Sequence, residues 1–228
     1  MREGSLIRGF LCLQGALYVL FVAMDLLRLG RAGDPVKFCA ILLCAAFCLY
    51  WRRRGGDGLV AGAMALTLCA DLFLLALNRD YPLGVLLFCA VQGLYLLRLC
   101  RLTGRRPRWP VRGALFLLGL GALALLKMLT PLNVLVIFYF SNFVCNVLLA
   151  RQVPGRKGRL FALGLGLFLC CDICVGAHNV PALLPRPLLE GARVGRWLVY
   201  LPGQVLISLS ALPDSVLRGL THENRERK

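Results

Sequence analysis

Eight apolar runs, most of them near the length of a bilayer crossing, are separated by short clusters of Arg, Gly and Pro, and this alternation constrains the fold more than any other feature of the chain. A helix needs roughly 20 apolar residues to cross about 30 Å of hydrocarbon. In lipid, only helices and closed barrels satisfy every backbone polar group. The runs fall near 6–27, 36–51, 59–77, 81–99, 111–130, 132–150, 160–178 and 197–217, the second being short and the eighth carrying Pro202 and Pro213. Composition points the same way. With 59% hydrophobic residues, 17% charged and a mean hydropathy of +0.73, the chain is too apolar for a soluble globule or a disordered segment. The expected fold is all-α: one polytopic transmembrane bundle of eight spans over residues 1–228, closed by a charged tail at 218–228.

The net charge of +16 would suggest nucleic acid in a soluble protein, so the placement of the charges decides its meaning. Of the 27 Lys and Arg, 19 fall on the side of the N-terminus, including Arg52, Arg53, Arg54 and the cluster from Arg98 to Arg112, and 8 on the other. The positive-inside rule then places both termini in the cytoplasm. The basic loops read as topology determinants facing anionic lipid headgroups, and nucleic acid is not an expected partner. In a bacterial host the membrane would be the cell membrane. The first run carries Asp25 and lacks a small-residue cleavage site, so it reads as an uncleaved span. The 11 cysteines lie almost entirely within spans, which is no disulfide framework.

At an offset of 101, Leu68-Cys69-Ala70-Asp71 aligns with Leu169-Cys170-Cys171-Asp172, and the match resumes at Ala76 with Ala177 and Asn78 with Asn179. Two readings stand: chance among common residues, or a duplicated four-span unit whose halves run parallel. Duplication would set Asp71 and Asp172 at equivalent depths.

A carboxylate at mid-membrane costs roughly 2.5–3.5 kcal/mol on insertion scales, and helix formation has no need of it. Asp71 and Asp172 are therefore candidate catalytic residues, a pair suited to general acid and base work; structural hydrogen bonding and a transport path are the alternatives. Other polar residues fall on single helical faces: Tyr139, Asn142 and Asn146 on the sixth span, Tyr200, Gln204 and Ser208 on the eighth, Gln92 and Tyr95 on the fourth, and Thr67, Asp71 and Asn78 on the third. Such stripes should converge on an interior pocket, or else serve as interhelical hydrogen bonds. Asp25 and Lys37 lie toward the outer ends of their spans, where Asp25 reads as a snorkelling interface residue. Cys171, Cys174 and His178 share a face but read as ordinary buried thiols beside a histidine, so no metal is expected. His222 reads as a solvated tail residue.

The order and spacing of these residues resemble the YhhN-like lysoplasmalogenase family, eight-span membrane proteins that include hydrolases of the lysoplasmalogen vinyl ether. Pro35-Val36-Lys37 is similar to the family's Lys-Pro-like start of the second span, and Ala70-Asp71-Leu72-Phe73-Leu74-Leu75 to its Gly-Asp motif on the third. Val91-Gln92-Gly93-Leu94-Tyr95 resembles Gly-His-x-x-Tyr, Tyr139 with Asn146 resembles Tyr with Met seven residues on, and Cys171-Asp172 resembles Ser-Asp. The segment Tyr200-Leu201-Pro202-Gly203-Gln204-Val205-Leu206-Ile207 resembles Tyr-x-x-Ala-Gln-x-Leu-Ile. Two of the departures from the pattern bear on the chemistry: Gln92 stands where the family has His, and Asn146 where it has Met.

The resemblance implies a membrane-embedded hydrolase that cleaves lysoplasmalogen, or a related single-chain ether lipid, to a fatty aldehyde and a glycerophospho-headgroup without a cofactor. Asp71 and Asp172 would share the acid and carboxylate roles. Lys37, Gln92, Tyr95, Tyr139, Asn142, Asn146, Tyr200 and Gln204 would position water, headgroup or the acids. A transporter binding protons or a cationic headgroup is one alternative, and a family member that binds lipid without catalysis is another.

Overall fold

The computed structural model describes residues 2–77, 79–179 and 185–223, and it is helical almost throughout. In chain order the helices are α1 (Arg2–Leu26), α2 (Asp34–Arg52), α3 (Gly58–Asp71), α4 (Tyr81–Thr103), α5 (Trp109–Leu125), α6 (Pro131–Ala150), α7 (Gly155–His178), α8 (Arg186–Leu209) and α9 (Asp214–Glu223). Five of them, α2, α4, α5, α6 and α8, place a proline in the first turn, where its missing N–H has no intrahelical partner to lose. A left-handed Gly104 closes α4, with its N–H donating to the carbonyl of Cys100.

Among the described residues six helical stretches, within 3–26, 30–52, 58–77, 81–103, 131–150 and 155–178, are long and apolar enough to cross a membrane, which makes this an integral multi-pass protein. α5 is apolar but has 17 residues. α8 has 24 residues, and its first half carries Arg186, Glu190, Arg193 and Arg196. The run expected at 197–217 is not one helix: α8 begins at Arg186 and ends at Leu209, and Pro213 separates it from α9. A hydropathy reading passes over the charged first turns of α8, although they are helical, and bridges Pro213 because its neighbours are apolar. Large apolar side chains stay exposed along α1 and α5, among them Val19, Leu117, Leu118 and Leu125, as a lipid-facing surface requires.

Within the bundle, α1 packs on α2, α2 on α3 and α3 on α4, while α5 packs on α6, α6 on α7 and α7 on α8; α2 meets α8 and α4 meets α6. The closest approach joins α7 and α8. A Cβ on Gly164 would stand 2.8 Å from the carbonyl oxygen of Gly203, and one on Gly203 would stand 3.0 Å from that of Gly164. Only glycines allow the two backbones this near, as at small-residue interfaces of membrane helices. Phe168, one turn beyond Gly164, meets Tyr200 edge-on at 5.5 Å.

Two charged locks tie the ends of the bundle. At one end Asp57 caps α3 by accepting from the N–H groups of Leu59 and Val60, and its other oxygen accepts from Arg98 Nε at 2.7 Å. Arg98 also donates to the hydroxyl and carbonyl of Ser210 at 3.0 and 2.7 Å, joining α3, α4 and the end of α8. At the opposite end Lys37 Nζ donates to Asp25 at 2.7 Å, tying α2 to α1. Arg98 and Arg112, counted by sequence among the topology determinants, are both buried.

Candidate active site

α3 does not stop at Asp71 but continues through a π-helical stretch, Leu72–Leu77. Widened turns of this kind recur at functional sites because they rotate the following side chains off the regular helical face. Asp71 is buried, and its Oδ2 accepts a hydrogen bond from the Tyr200 hydroxyl of α8 at 2.7 Å. Asp172, on α7, likewise accepts from the hydroxyl of Tyr139 on α6. Each aspartate lies six residues before the end of its helical stretch, about 9 Å along the axis from the Lys37 end. The two carboxyl groups lie within electrostatic range of one another.

A ladder of aromatic rings walls this pair. Trp197 meets Tyr200 at 5.7 Å, Tyr200 meets Phe168 at 5.5 Å, Phe168 meets Phe143 at 4.9 Å and Phe88 at 5.6 Å, and Phe143 meets Tyr139 at 5.7 Å. The arrangement sets two carboxyl groups, each fixed by one phenol, against one aromatic cluster, with Asp71 buried and Asp172 half-buried. Such a pair can, chemically, act as general acid and base if one carboxyl is protonated and the other ionised.

Lys37 is buried but does not reach this pair. It donates to Asp25, lies 3.7 Å from Asp34 and sits over the Trp197 ring at 4.4 Å from its centroid. Asp25 is therefore not a snorkelling interface residue: a buried ammonium needs an anion, and Asp25 is the nearest one.

The polar stripe of α6 divides. Tyr139 turns to Asp172, whereas Asn142 and Asn146 accept from Arg112 of α5 at 2.9 and 2.8 Å. Asn146 Nδ2 donates to the carbonyl and to Oε1 of Gln92, both at 2.9 Å. Gln92 thus anchors a buried polar network and at the same time lies beside the Tyr139 phenol.

Tyr95 and Thr67 make no hydrogen bond to either carboxylate. The Tyr95 ring meets Phe161 edge-on at 5.3 Å, its hydroxyl faces Thr67 without closing a hydrogen bond, and Thr67 donates to the carbonyl of Ala63 at 3.0 Å. Gln204, one turn past Tyr200, is fully buried with neither amide atom paired. Ser208, a further turn on, donates to the Gln204 carbonyl at 2.8 Å. Cys171 is buried and Cys174 half-buried beside Asp172, and all the described cysteines are free thiols. Asn78 and the side chain of His222 lie outside the described residues.

Four residues at or near this site carried no signal in the sequence reading. Arg112 and Arg196 were hidden among charges assigned to loops, Trp197 among apolar residues, and Tyr81 at a span boundary. Arg112 anchors the network beneath Gln92. Trp197 bridges Lys37 to Tyr200. Tyr81 lies within charge range of Asp172 and of Arg196, and Arg196 within range of Cys171 and Cys174. A charged residue spaced one turn before Tyr200 on the same helix was the available clue for Arg196.

The sequence profile of the YhhN family matches residues 35–211, from the first turn of α2 to the end of α8. No curated protein and no solved structure matches the chain.

Proposed function

The chain belongs to the YhhN family, and from that premise we propose that it hydrolyses the vinyl-ether bond of lysoplasmalogens or closely related single-chain ether lipids. The supporting observation is the pair of aspartates, each held by one tyrosine hydroxyl against a single aromatic cluster. One carboxyl group, protonated, delivers its proton to the alkenyl carbon distal to the ether oxygen. The oxocarbenium ion so formed is stabilised by the other, ionised carboxylate, as in glycoside hydrolysis. That carboxylate then takes a proton from the attacking water and passes it to the glycerol oxygen as the hemiacetal C–O bond breaks, while the first carboxylate recovers its proton from the hemiacetal hydroxyl, which leaves a fatty aldehyde, the glycerophospho alcohol and both acids in their starting states. Gln204, one turn past Tyr200 and with a buried amide that has no hydrogen-bond partner among the described residues, would hold that water.

A single-chain lipid enters between helices with its tail still in the bilayer, which accounts for placing the chemistry inside a membrane. The reading includes cytoplasmic termini, with the basic loops against anionic headgroups, and needs no cofactor. Cysteine-directed labelling of Lys157→Cys and Arg31→Cys variants from either side of sealed vesicles tests that orientation.

The deciding experiment is aldehyde release from lysoplasmalogen micelles by purified protein, beside Asp71→Asn and Asp172→Asn variants of unchanged melting temperature. General acid-base groups contribute roughly 10²–10⁴-fold, so each variant is expected to lose at least about 100-fold. Full activity in either folded variant removes that aspartate from the mechanism. No release by well-folded wild type turns the reading to lipid binding without catalysis.

A further inference from the structure

We propose that Arg196 of α8, with the Tyr81 hydroxyl of α4 and the side chain of Asn179 at the end of α7, binds the phosphate of the single-chain phospholipid whose ether bond lies at Asp71 and Asp172. The inference rests on the hydrolase reading for the position of the ether, and on its own observations for the phosphate.

Arg196 precedes Tyr200 by one turn of α8, so it lies on the same face about 6 Å nearer the Lys37 end. Tyr200 meets Asp71, and Arg196 lies within charge range of Cys171, Cys174 and Tyr81 at the other side of the same site. The Tyr81 hydroxyl lies against the Asn179 side chain and within range of Asp172. Tyr81 and Asn179 are exposed and Arg196 is half-buried, so the three form a mouth opening outward from the carboxylates.

Burial without an anion singles out Arg196 at this end, where Arg28, Lys127 and Arg186 are exposed and Arg31 lies against Asp34. Lys37 is committed to Asp25 and Asp34, Arg193 to Glu190, and Arg79 lies against Asp80. The Arg196 guanidinium has no carboxylate in ion-pair contact among the described residues, and its buried Nε has no hydrogen-bond partner. The Trp197 ring gives it a cation–π contact at 5.9 Å, which takes up none of its N–H groups. A guanidinium beside a phenol and a carboxamide is a donor set for a tetrahedral oxyanion, which it meets with paired N–H groups. The distance back to Tyr200 is one that a glycerol unit spans.

Binding is measured in detergent micelles with two ligands that cannot be cleaved, a saturated 1-alkyl-glycerophosphocholine and the phosphate-free 1-alkylglycerol. Arg196→Gln is expected to weaken the phospholipid about 10- to 100-fold, the range for hydrogen bonds to charged groups, and to leave the alkylglycerol unchanged. Arg196→Lys should recover part of the loss. Tyr81→Phe, a change at the exposed mouth that the fold tolerates, should weaken the phospholipid several-fold and keeps the test open if Arg196→Gln does not fold. Equal phospholipid binding by wild type and folded Arg196→Gln, or equal weakening of both ligands, overturns the proposal. Displacement of the phospholipid by millimolar inorganic phosphate would assign the site to free phosphate and overturn the lipid assignment. Because the ligands are inert, absence of hydrolysis on lysoplasmalogen would defeat the catalytic reading while leaving the Arg196 result standing.

Discussion

Asn146 on α6 donates from Nδ2 to both the main-chain carbonyl and the side-chain Oε1 of Gln92 on α4, each at 2.9 Å. These two residues, which stand where the pattern the sequence resembles would have His and Met, are in contact. The departures form one joint replacement: an amide pair, completed by Arg112 on Asn146 Oδ1 at 2.8 Å, stands where the pattern has an imidazole and a thioether.

The pairing makes the stability of the network non-additive. Gln92→Leu takes one of two acceptors from Asn146 Nδ2 and leaves the main-chain carbonyl, whereas Asn146→Leu orphans the buried Gln92 Oε1 and leaves Arg112 its bonds to Asn142, so each single change is expected to cost about 1 kcal/mol. The double variant should cost less than the sum of the two, because the second change removes a group already left without its partner. Thermal melts of the four proteins in one detergent measure this, and strict additivity would deny the coupling. The same set reports on chemistry. Wild type is expected to release aldehyde with Gln92 in place; hydrolysis that appears only in Gln92→His would assign the natural chain to lipid binding.

The phenols of Tyr139 and Tyr200 each hold one carboxyl oxygen, so their loss should affect the chemical step more than lipid capture. Tyr200→Phe and Tyr139→Phe are each expected to lower kcat about 10- to 100-fold, the range for a hydrogen bond to a charged group, with KM changed little. Steady-state kinetics on lysoplasmalogen micelles checks this. A rise in KM at constant kcat would show that the hydroxyls bind lipid instead of orienting the acids.

The all-α membrane fold was legible because lipid forces helices and the punctuation between them is strong: five helices open on a proline that hydropathy alone would place within a few residues. Asp71 and Asp172 were legible for the same reason, as costly residues with no structural need. The partners of each polar group were not. Spacing put Tyr139, Asn142 and Asn146 on one stripe, yet a stripe faces two neighbours, and here Tyr139 turns to α7 while the asparagines turn to α5 and α4. Arg98 and Arg112 were read as surface charge because a basic cluster looks the same whether its members face water or Asp57 and Asn146. The extent of α8 was hidden by its charged first turns, which hydropathy counts as loop.

Lys37 and Asp25 should behave as one unit. Breaking a buried pair leaves an uncompensated charge and costs about 3–5 kcal/mol, whereas replacing both members by apolar groups is often neutral. Asp34 at 3.7 Å leaves Lys37 a second anion, so Lys37→Met, which strands Asp25, is expected to destabilise more than Asp25→Asn. The double variant Asp25→Leu with Lys37→Met should recover most of the loss. Melting temperatures of the three variants decide it, and equal loss in the singles and the double would show that the ion pair itself holds α1 to α2.

The glycine contact between α7 and α8 links the stability of the bundle to the geometry of the site. A methyl group on Gly164 would meet the Gly203 carbonyl at 2.8 Å and the main chain at Ile207 at 2.9 Å, so α8 must shift to admit it. Overpacking of this kind costs about 1–3 kcal/mol. Gly203 lies three residues past Tyr200, on the same helix, so the shift also draws the phenol from Asp71. Gly164→Ala is therefore expected to lower both the melting temperature and kcat. Gly166, two residues on, offers open space for a Cβ, and Gly166→Ala should be neutral or stabilise by up to about 1 kcal/mol through helix propensity alone. Parallel melts and kinetics of the two variants separate close packing from propensity. A Gly164→Ala protein that matches Gly166→Ala in both would show that the α7–α8 contact neither sets stability nor places Tyr200.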